Sequence, residues 1–288
     1  AGIVYDKNGT QKTFVDLIKE NIDKTNVSYY GCNFSNHQGL PLHFLNNMFH
    51  EGHDLYVKNK VCKDLLAKCV DVSKKTMSIK KFDFLMGGTT TTKDWLFDEI
   101  KNHHVNTNVF VTYYRDNPRK GAWSRHVKVP VNHTAETIED RWKSTLRYSD
   151  LIDPEIYNST FYTALIETVC DKDFGIFTEK TAKPIVAKRP FVVFGSPGQL
   201  KALRQLGFKT FSKVIDESYD DEVDRDKRFK MVLDAMEQLC EKDPFSVYEQ
   251  LLDVLEHNKT HFEGTDWNRG FREQTLHSKK EDLFRFTS

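Results

Sequence analysis

The sequence predicts a two-domain α/β protein, on three observations. Short apolar runs alternate with segments of helical periodicity through the first half of the chain, the pattern of a largely parallel, covered sheet. Pro190-Phe-Val-Val-Phe-Gly is four apolar residues bounded by Pro and Gly, the composition of a buried strand. At 288 residues and 39% hydrophobic content, the chain is long for one core and sufficient for two.

Taken in order, Gly2–Tyr5 reads as a first strand, and Thr10 or Thr13 as the cap of a helix carrying Phe14, Leu17, Ile18 and Ile22. Val27–Cys32 reads as a second strand. Leu40–Phe49 sets Leu42, Leu45, Asn46 and Phe49 on one helical face, Asp54–Lys58 reads as a strand, and a helix follows through Cys62, Leu65, Leu66 and Cys69. The polar stretch Lys74–Lys81 reads as the connection between domains, giving 1–77 and 78–262 with a tail at 263–288. Beyond it, Phe82–Met86 enters Gly87-Gly88 and four threonines, followed by a helix with Trp95, Leu96 and Ile100 and a strand from Val109. This is an opening βαβ unit, whose Gly-Gly turn and Thr-capped helix start suit a phosphate or a plain turn. Residues 134–170 read as helical through Ile138, Trp142, Leu146, Phe161, Leu165 and Val169. After the strand at 191–194 come helices at Gln199–Leu206, Asp226–Cys240 and around Val247–Leu255.

The 42 basic and 42 acidic side chains cancel, which argues against a surface given wholly to a polyanion. No stretch reaches the ~18–20 apolar residues of a membrane span, and no secretory leader is visible. Five scattered cysteines without CxxC spacing fit reduced thiols. The glycosylation-type patterns at Asn8, Asn33, Asn158 and Asn258 read as chance matches in a cytoplasmic protein.

Chemistry concentrates between Phe161 and Phe211. Glu179 and Lys180 stand side by side after Thr178, ahead of a predicted helix. Helix-terminal N–H groups and an ammonium favour an anion, and a carboxylate can accept from both ribose hydroxyls. The same residues also make an ordinary exposed helix start.

The blocks Glu167…Phe177-Thr-Glu-Lys-Thr…Lys183-Pro-Ile and Arg189-Pro-Phe-Val-Val-Phe-Gly-Ser-Pro-Gly, with Gly207-Phe-Lys-Thr-Phe beyond, resemble the donor-binding half of fucosyltransferase-like GT-B glycosyltransferases, including phage and bacterial members. The resemblance spans about residues 160–262. It implies two Rossmann-like domains with a cleft between them, and a metal-independent, inverting transfer from a nucleotide-sugar co-substrate with no further cofactor. It further implies that Glu179 binds ribose and Lys180 the diphosphate, with Glu167 an accessory acid. Lys183 joins the cations of that site. Family members carry an arginine on the first helix of this domain, whereas the helix here begins Thr92-Lys93-Asp94. Either Lys93 substitutes, or Arg115 or Arg119 reaches in, and fucose is not implied.

The general base is expected from the N-terminal half, where His37, His43, His50, Glu51, His53 and Asp54 are available. His50-Glu51-Gly52-His53 also has the residue types of a metal site, but Gly52 weakens a helix there and the spacing is not His-Glu-x-x-His. The segment Tyr113–Lys128 interleaves Arg115, Arg119, Arg125 and Lys128 with Trp123 and tyrosines. It suits a solvated loop, or an acceptor contact through Trp123, Arg125 and Lys128 to duplex DNA or a glycan. If the protein is phage-encoded, its compartment is the host cytoplasm.

Overall fold

The computed structural model describes residues 3–5, 11–13, 52–72, 75, 80–87, 90–113, 151–167, 170 and 177–267. The chain divides into two compact units, Ala1–Asn47 with Asp266–Ser288, and Met48–Thr265. The boundary read near residue 78 falls inside the second unit. The strand at Val27–Cys32, the helix at Leu40–Phe49 and the helical reading of 134–150 lie outside the described residues.

In the first unit, β1 (Ile3–Tyr5) pairs antiparallel with β2 (Gln11–Thr13), Ile3 opposite Thr13 and Tyr5 opposite Gln11. Thr13 therefore belongs to a strand, and the helix read through Phe14, Leu17, Ile18 and Ile22 lies outside the described residues. Asn8-Gly9, a dipeptide that favours hairpin turns, stands between the two strands in sequence.

The second unit opens with a π-helical turn, Asp54–Lys58, where a strand was expected. Five residues are too few for period two and period 3.6 to be told apart. Asn59 then caps α1 (Lys60–Leu66), its Oδ1 accepting from Val61 N at 2.9 Å and Cys62 N at 3.3 Å. β3 (Phe82–Gly87) leads to α2 (Thr91–Asn102), a 3-10 turn (His104–Asn108) and β4 (Val109–Tyr113). α3 (Pro154–Ser159) begins on Asp153, whose carboxylate accepts from Glu155 N and Ile156 N. β5 (Tyr162–Ile166) follows, correcting the helical reading of 161–169. All five of its residues are buried, so neither face shows polar alternation and the run carries no period. α4 (Glu179–Val186), β6 (Phe191–Phe194), α5 (Gln199–Gln205), a 3-10 turn (Ser218–Asp221), α6 (Arg225–Glu241) and α7 (Pro244–Gly264) complete the unit.

The strands order β4-β3-β5-β6 and all pair in parallel. The apolar core runs across them: Phe84 stacks on Phe194 with ring centroids 5.1 Å apart, and Phe194 meets Phe229 of α6 edge-on at 5.1 Å. Beneath the amino ends of the strands lies a buried ion pair. Arg189 Nη2 donates to Asp83 Oδ2 at 2.6 Å and to the Tyr162 carbonyl at 3.1 Å, its Nη1 to the carbonyls of Tyr157 and Thr160, and its Nε to Thr163 Oγ1. Arg189 arrives there through a Schellman turn at the end of α4, with Lys188 at φ 50° and Arg189 N donating to the Pro184 carbonyl at 2.8 Å.

Two of the four glycosylation-type asparagines are described, and both are occupied. Asn258, 3% exposed on α7, accepts from Lys209 N and donates to Lys209 O, each at 2.8 Å. Asn158 accepts from Val70 N at 2.7 Å and donates to Lys68 O at 3.1 Å. Because Asn258→Ala removes two side-chain hydrogen bonds to Lys209 together, it is expected to cost about 1–3 kcal/mol in urea unfolding. Among the described residues no helix is long and apolar enough to cross a membrane.

Candidate functional site

The connection β3–α2–β4 runs to one side of β3, and the chain then returns to lay β5 on the other side, with β6 beyond. The strand order reverses between β3 and β5. At a reversal of this kind open parallel sheets take ligands, in the crevice beyond the carboxyl ends of the two strands. Both loops lead into threonine-capped helices. Thr90 Oγ1 accepts from Lys93 N at 3.2 Å, and Thr178 Oγ1 accepts from Lys180 N at 3.2 Å. Each lysine therefore sits in the first turn of its helix, where backbone N–H groups favour an anion.

Glu167, the residue following β5, is 1% exposed and holds the second of these helix starts together. Its Oε1 accepts from Thr178 N at 3.2 Å and Thr181 Oγ1 at 2.5 Å, and its Oε2 from Thr178 Oγ1 at 2.7 Å. Burial pushes its carboxyl up, against the pull of Lys180 and the three hydroxyl and amide donors. Glu167, which the resemblance puts among the donor-binding residues as an accessory acid, is thus buried and bonded to Thr178 and Thr181 at the start of α4. Glu179 and Lys180 form an ion pair at 3.1 Å, with the Lys180 side chain 23% exposed. Lys183, one turn further on, is buried.

Lys93 donates to the Met86 carbonyl at 2.6 Å, at the end of β3. Burial, and next the like charge of Lys180, pull its amine down to about 8. That coupling puts the two lysines within electrostatic reach across the switch point. Tyr113 donates to Asp94 Oδ1 at 2.6 Å, tying the end of β4 to the same helix start.

Sequence did not single out Arg225. It comes from α6 to donate from Nη1 to Thr92 Oγ1 at 3.3 Å, its guanidinium 5.8 Å from the Trp95 ring centroid. A guanidinium thus stands beside the helix start that carries Lys93, contributed by a segment far along the chain, and no local pattern announces it. Three residues on, Arg228 is buried and donates to the carbonyls of Gly195, Glu222, Val223 and Cys170, binding the carboxyl-edge loops into one frame. The Gly195-Ser-Pro-Gly198 turn is a different case. Asp220 already accepts from Leu200 N and Lys201 N at the start of α5, so those donors are committed to the protein.

Two of the base candidates are described, Asp54, whose Oδ1 accepts from Lys58 Nζ at 2.6 Å, and His53. Its Nε2 donates to the Glu263 carbonyl at 3.2 Å and its ring lies 6.0 Å from that of Phe262. A Cβ on neighbouring Gly52 would come within 2.8 Å of Ala182 Cβ, so glycine is what lets this segment pack against α4 one turn below the Thr178 cap. His37, His50, Glu51, Arg115, Arg119, Trp123, Arg125 and Lys128 lie outside the described residues.

Elsewhere, His103, Asp234 and Glu237 gather, with His103 Nε2 at 3.5 Å from Asp234 Oδ1 and 3.8 Å from Glu237 Oε2. Nδ1 of that ring accepts from Val105 N at 3.2 Å, so the neutral ring carries its proton on Nε2, facing the carboxylates. A metal ligand donates its second ring nitrogen outward, whereas this Nδ1 accepts, and the three side chains stand at ion-pair distance. Burial pushes the thiols of Cys69 and Cys240 up to about 11 and about 12, which keeps both protonated. No family model, curated protein or solved structure matches the chain.

Proposed function

We propose that the protein is a glycosyltransferase of GT-B-like, two-Rossmann-domain design, moving a sugar from a nucleoside-diphosphate sugar to a hydroxyl acceptor. The observation that carries this is the pairing of Glu179-Lys180 with Lys93 on two capped helix starts that flank the switch point of a parallel sheet. A ribosyl diphosphate needs a two-oxygen acceptor for its hydroxyls and cations with aligned N–H groups for its phosphates, close together. Glu179 supplies the first and Lys180 and Lys93 the second, with Arg225 beside Lys93.

In the proposed transfer these cations stabilise the charge that develops on the departing diphosphate, so no metal is called for. The acceptor hydroxyl loses its proton to a base from the segment around His50–His53, with inversion at the anomeric carbon. The acceptor is a hydroxylated base in DNA or a glycan. Duplex DNA in filter binding at two salt concentrations separates them, since phosphate contacts give a steep salt slope. A non-catalytic nucleotide-binding protein is the second reading, favoured by the lack of an arginine on α2. Slow hydrolysis of UDP-, GDP- and CMP-sugars supports the enzyme, and affinity without turnover supports the binder.

The direct test is calorimetric titration with nucleoside diphosphates across pH. Lys93 is charged below about 8 and neutral above it, so affinity is expected to fall about tenfold as pH rises from 7 to 9. Lys93→Met should bind weakly at both pH values. A titration showing no binding of any nucleoside diphosphate would remove the proposal.

A further inference from the structure

The amino edge of the sheet, opposite the crevice just described, holds a second concavity. It is a cleft of about 540 Å³ between the end of α1 with the residues after it, the turn from α4 to β6, and one face of α7. That volume lies in the range of small-molecule sites. Its walls are apolar: Leu66, Val70, Val186, Phe245, Leu252 and Leu255. Val70, Phe245 and Leu252 are 41%, 43% and 56% exposed, and among the described residues the only other large exposed hydrophobic is Val223. Isolated exposed apolar side chains are ordinary, but three gathered in one hollow mark a binding surface.

The sequence of α7 gives the hollow one of its sides. Val247, Leu251, Val254 and Phe262 are buried in the core, while Phe245, Tyr248, Leu252, Leu255 and Lys259 line the cleft. A helix that packs on one core needs a single apolar stripe; Tyr248 and Leu255 belong to that stripe, and the exposed Phe245 and Leu252 widen it toward the cleft.

The charges select the ligand. All five N–H donors of Arg189 are engaged by protein acceptors. Lys188 pairs with Glu256 and Lys259 with Glu263. Lys75 is the cleft cation with no carboxylate partner among the described residues; its Nζ donates to the carbonyls of Tyr157, at 2.6 Å, and Thr160. Burial, then the Arg189 charge, pulls its amine down to about 7, against the opposing pull of Asp83 and Asp71. Asp71 and Glu249 also line the cleft, which disfavours a dianion such as a phosphate monoester.

We propose that this cleft binds a small amphipathic monocarboxylate, its apolar body between α1 and α7 and its carboxylate on Lys75. The site is separate from the nucleotide crevice and stands or falls independently of it.

Calorimetric titration of the full chain with decanoate, and with decan-1-ol as its neutral homologue, tests the proposal without any variant. Decanoate should bind at one site, about tenfold tighter than the alcohol, the worth of one desolvated charge-assisted contact. Lys75→Met should erase that preference while leaving decanol affinity in place, and Leu252→Glu should weaken decanoate about tenfold or more. Equal affinity for acid and alcohol in the unaltered protein, or no binding of either, would overturn the assignment. So would a dimer in sedimentation that Leu252→Glu dissolves and decanoate does not, since the hollow would then be an interface between copies of the chain.

Discussion

Arg189→Ala is expected to lower the unfolding free energy by about 3–5 kcal/mol, read from urea denaturation followed by circular dichroism. The size follows from what the guanidinium leaves behind. Asp83 is wholly buried in β3, and its Oδ1 has no hydrogen-bond partner among the described residues while Oδ2 meets Arg189, Thr160 and Thr163. Burial already pushes that carboxyl up in the presence of the cation. Without it, an uncompensated acid and three backbone carbonyls stay in the core. Asp83→Asn/Arg189→Ala should be less damaging than the sum of the two single changes, because the stranded charge is the main cost. A loss below about 1 kcal/mol for Arg189→Ala would mean that the core reorganises to reach water.

The second large effect concerns ligand binding. Lys180→Ala and Glu179→Ala should each weaken nucleoside diphosphate binding about 100-fold or more, a loss of about 2.7 kcal/mol per side chain. The melting temperature of the unliganded protein should stay nearly unchanged, since neither side chain holds the core. Glu167→Ala should lose binding as well, but with a drop in melting temperature, because three donors at the start of α4 lose their acceptor together. The two signatures separate a residue that touches ligand from one that positions it. If Lys180→Ala and Glu179→Ala both bind as tightly as the unaltered chain, the crevice is not the nucleotide site.

Much of the second unit is legible in the sequence where an apolar run is bounded by turn-forming or capping residues. The runs at 82–86, 109–113 and 191–194 and the helices after Thr90 and Asp224 have bounded apolar patterns with capping residues, and they form where expected. Tyr162–Ile166 fails because, buried on both faces, it carries no alternation, and no Pro or Gly bounds it as Pro190 and Gly195 bound Phe191–Phe194. Asp54–Lys58 is too short to declare its period. The Thr178-Glu179-Lys180 helix start is legible because a cap, an acid and a base adjoin in sequence. Glu167 as a support for that cap, and Arg225 beside Thr92, are products of tertiary packing and leave no local trace.

The strand order has a consequence for the order of synthesis. β3 pairs with β5, Phe82 opposite Tyr162, so the two walls of the crevice are translated far apart. A nascent chain that has emerged only through β4 owns one lysine-bearing wall and nothing to face it. A ligand that spans the switch point therefore cannot assist the earliest stage of folding, and one added during translation can reward only chains that have already closed this long-range pairing.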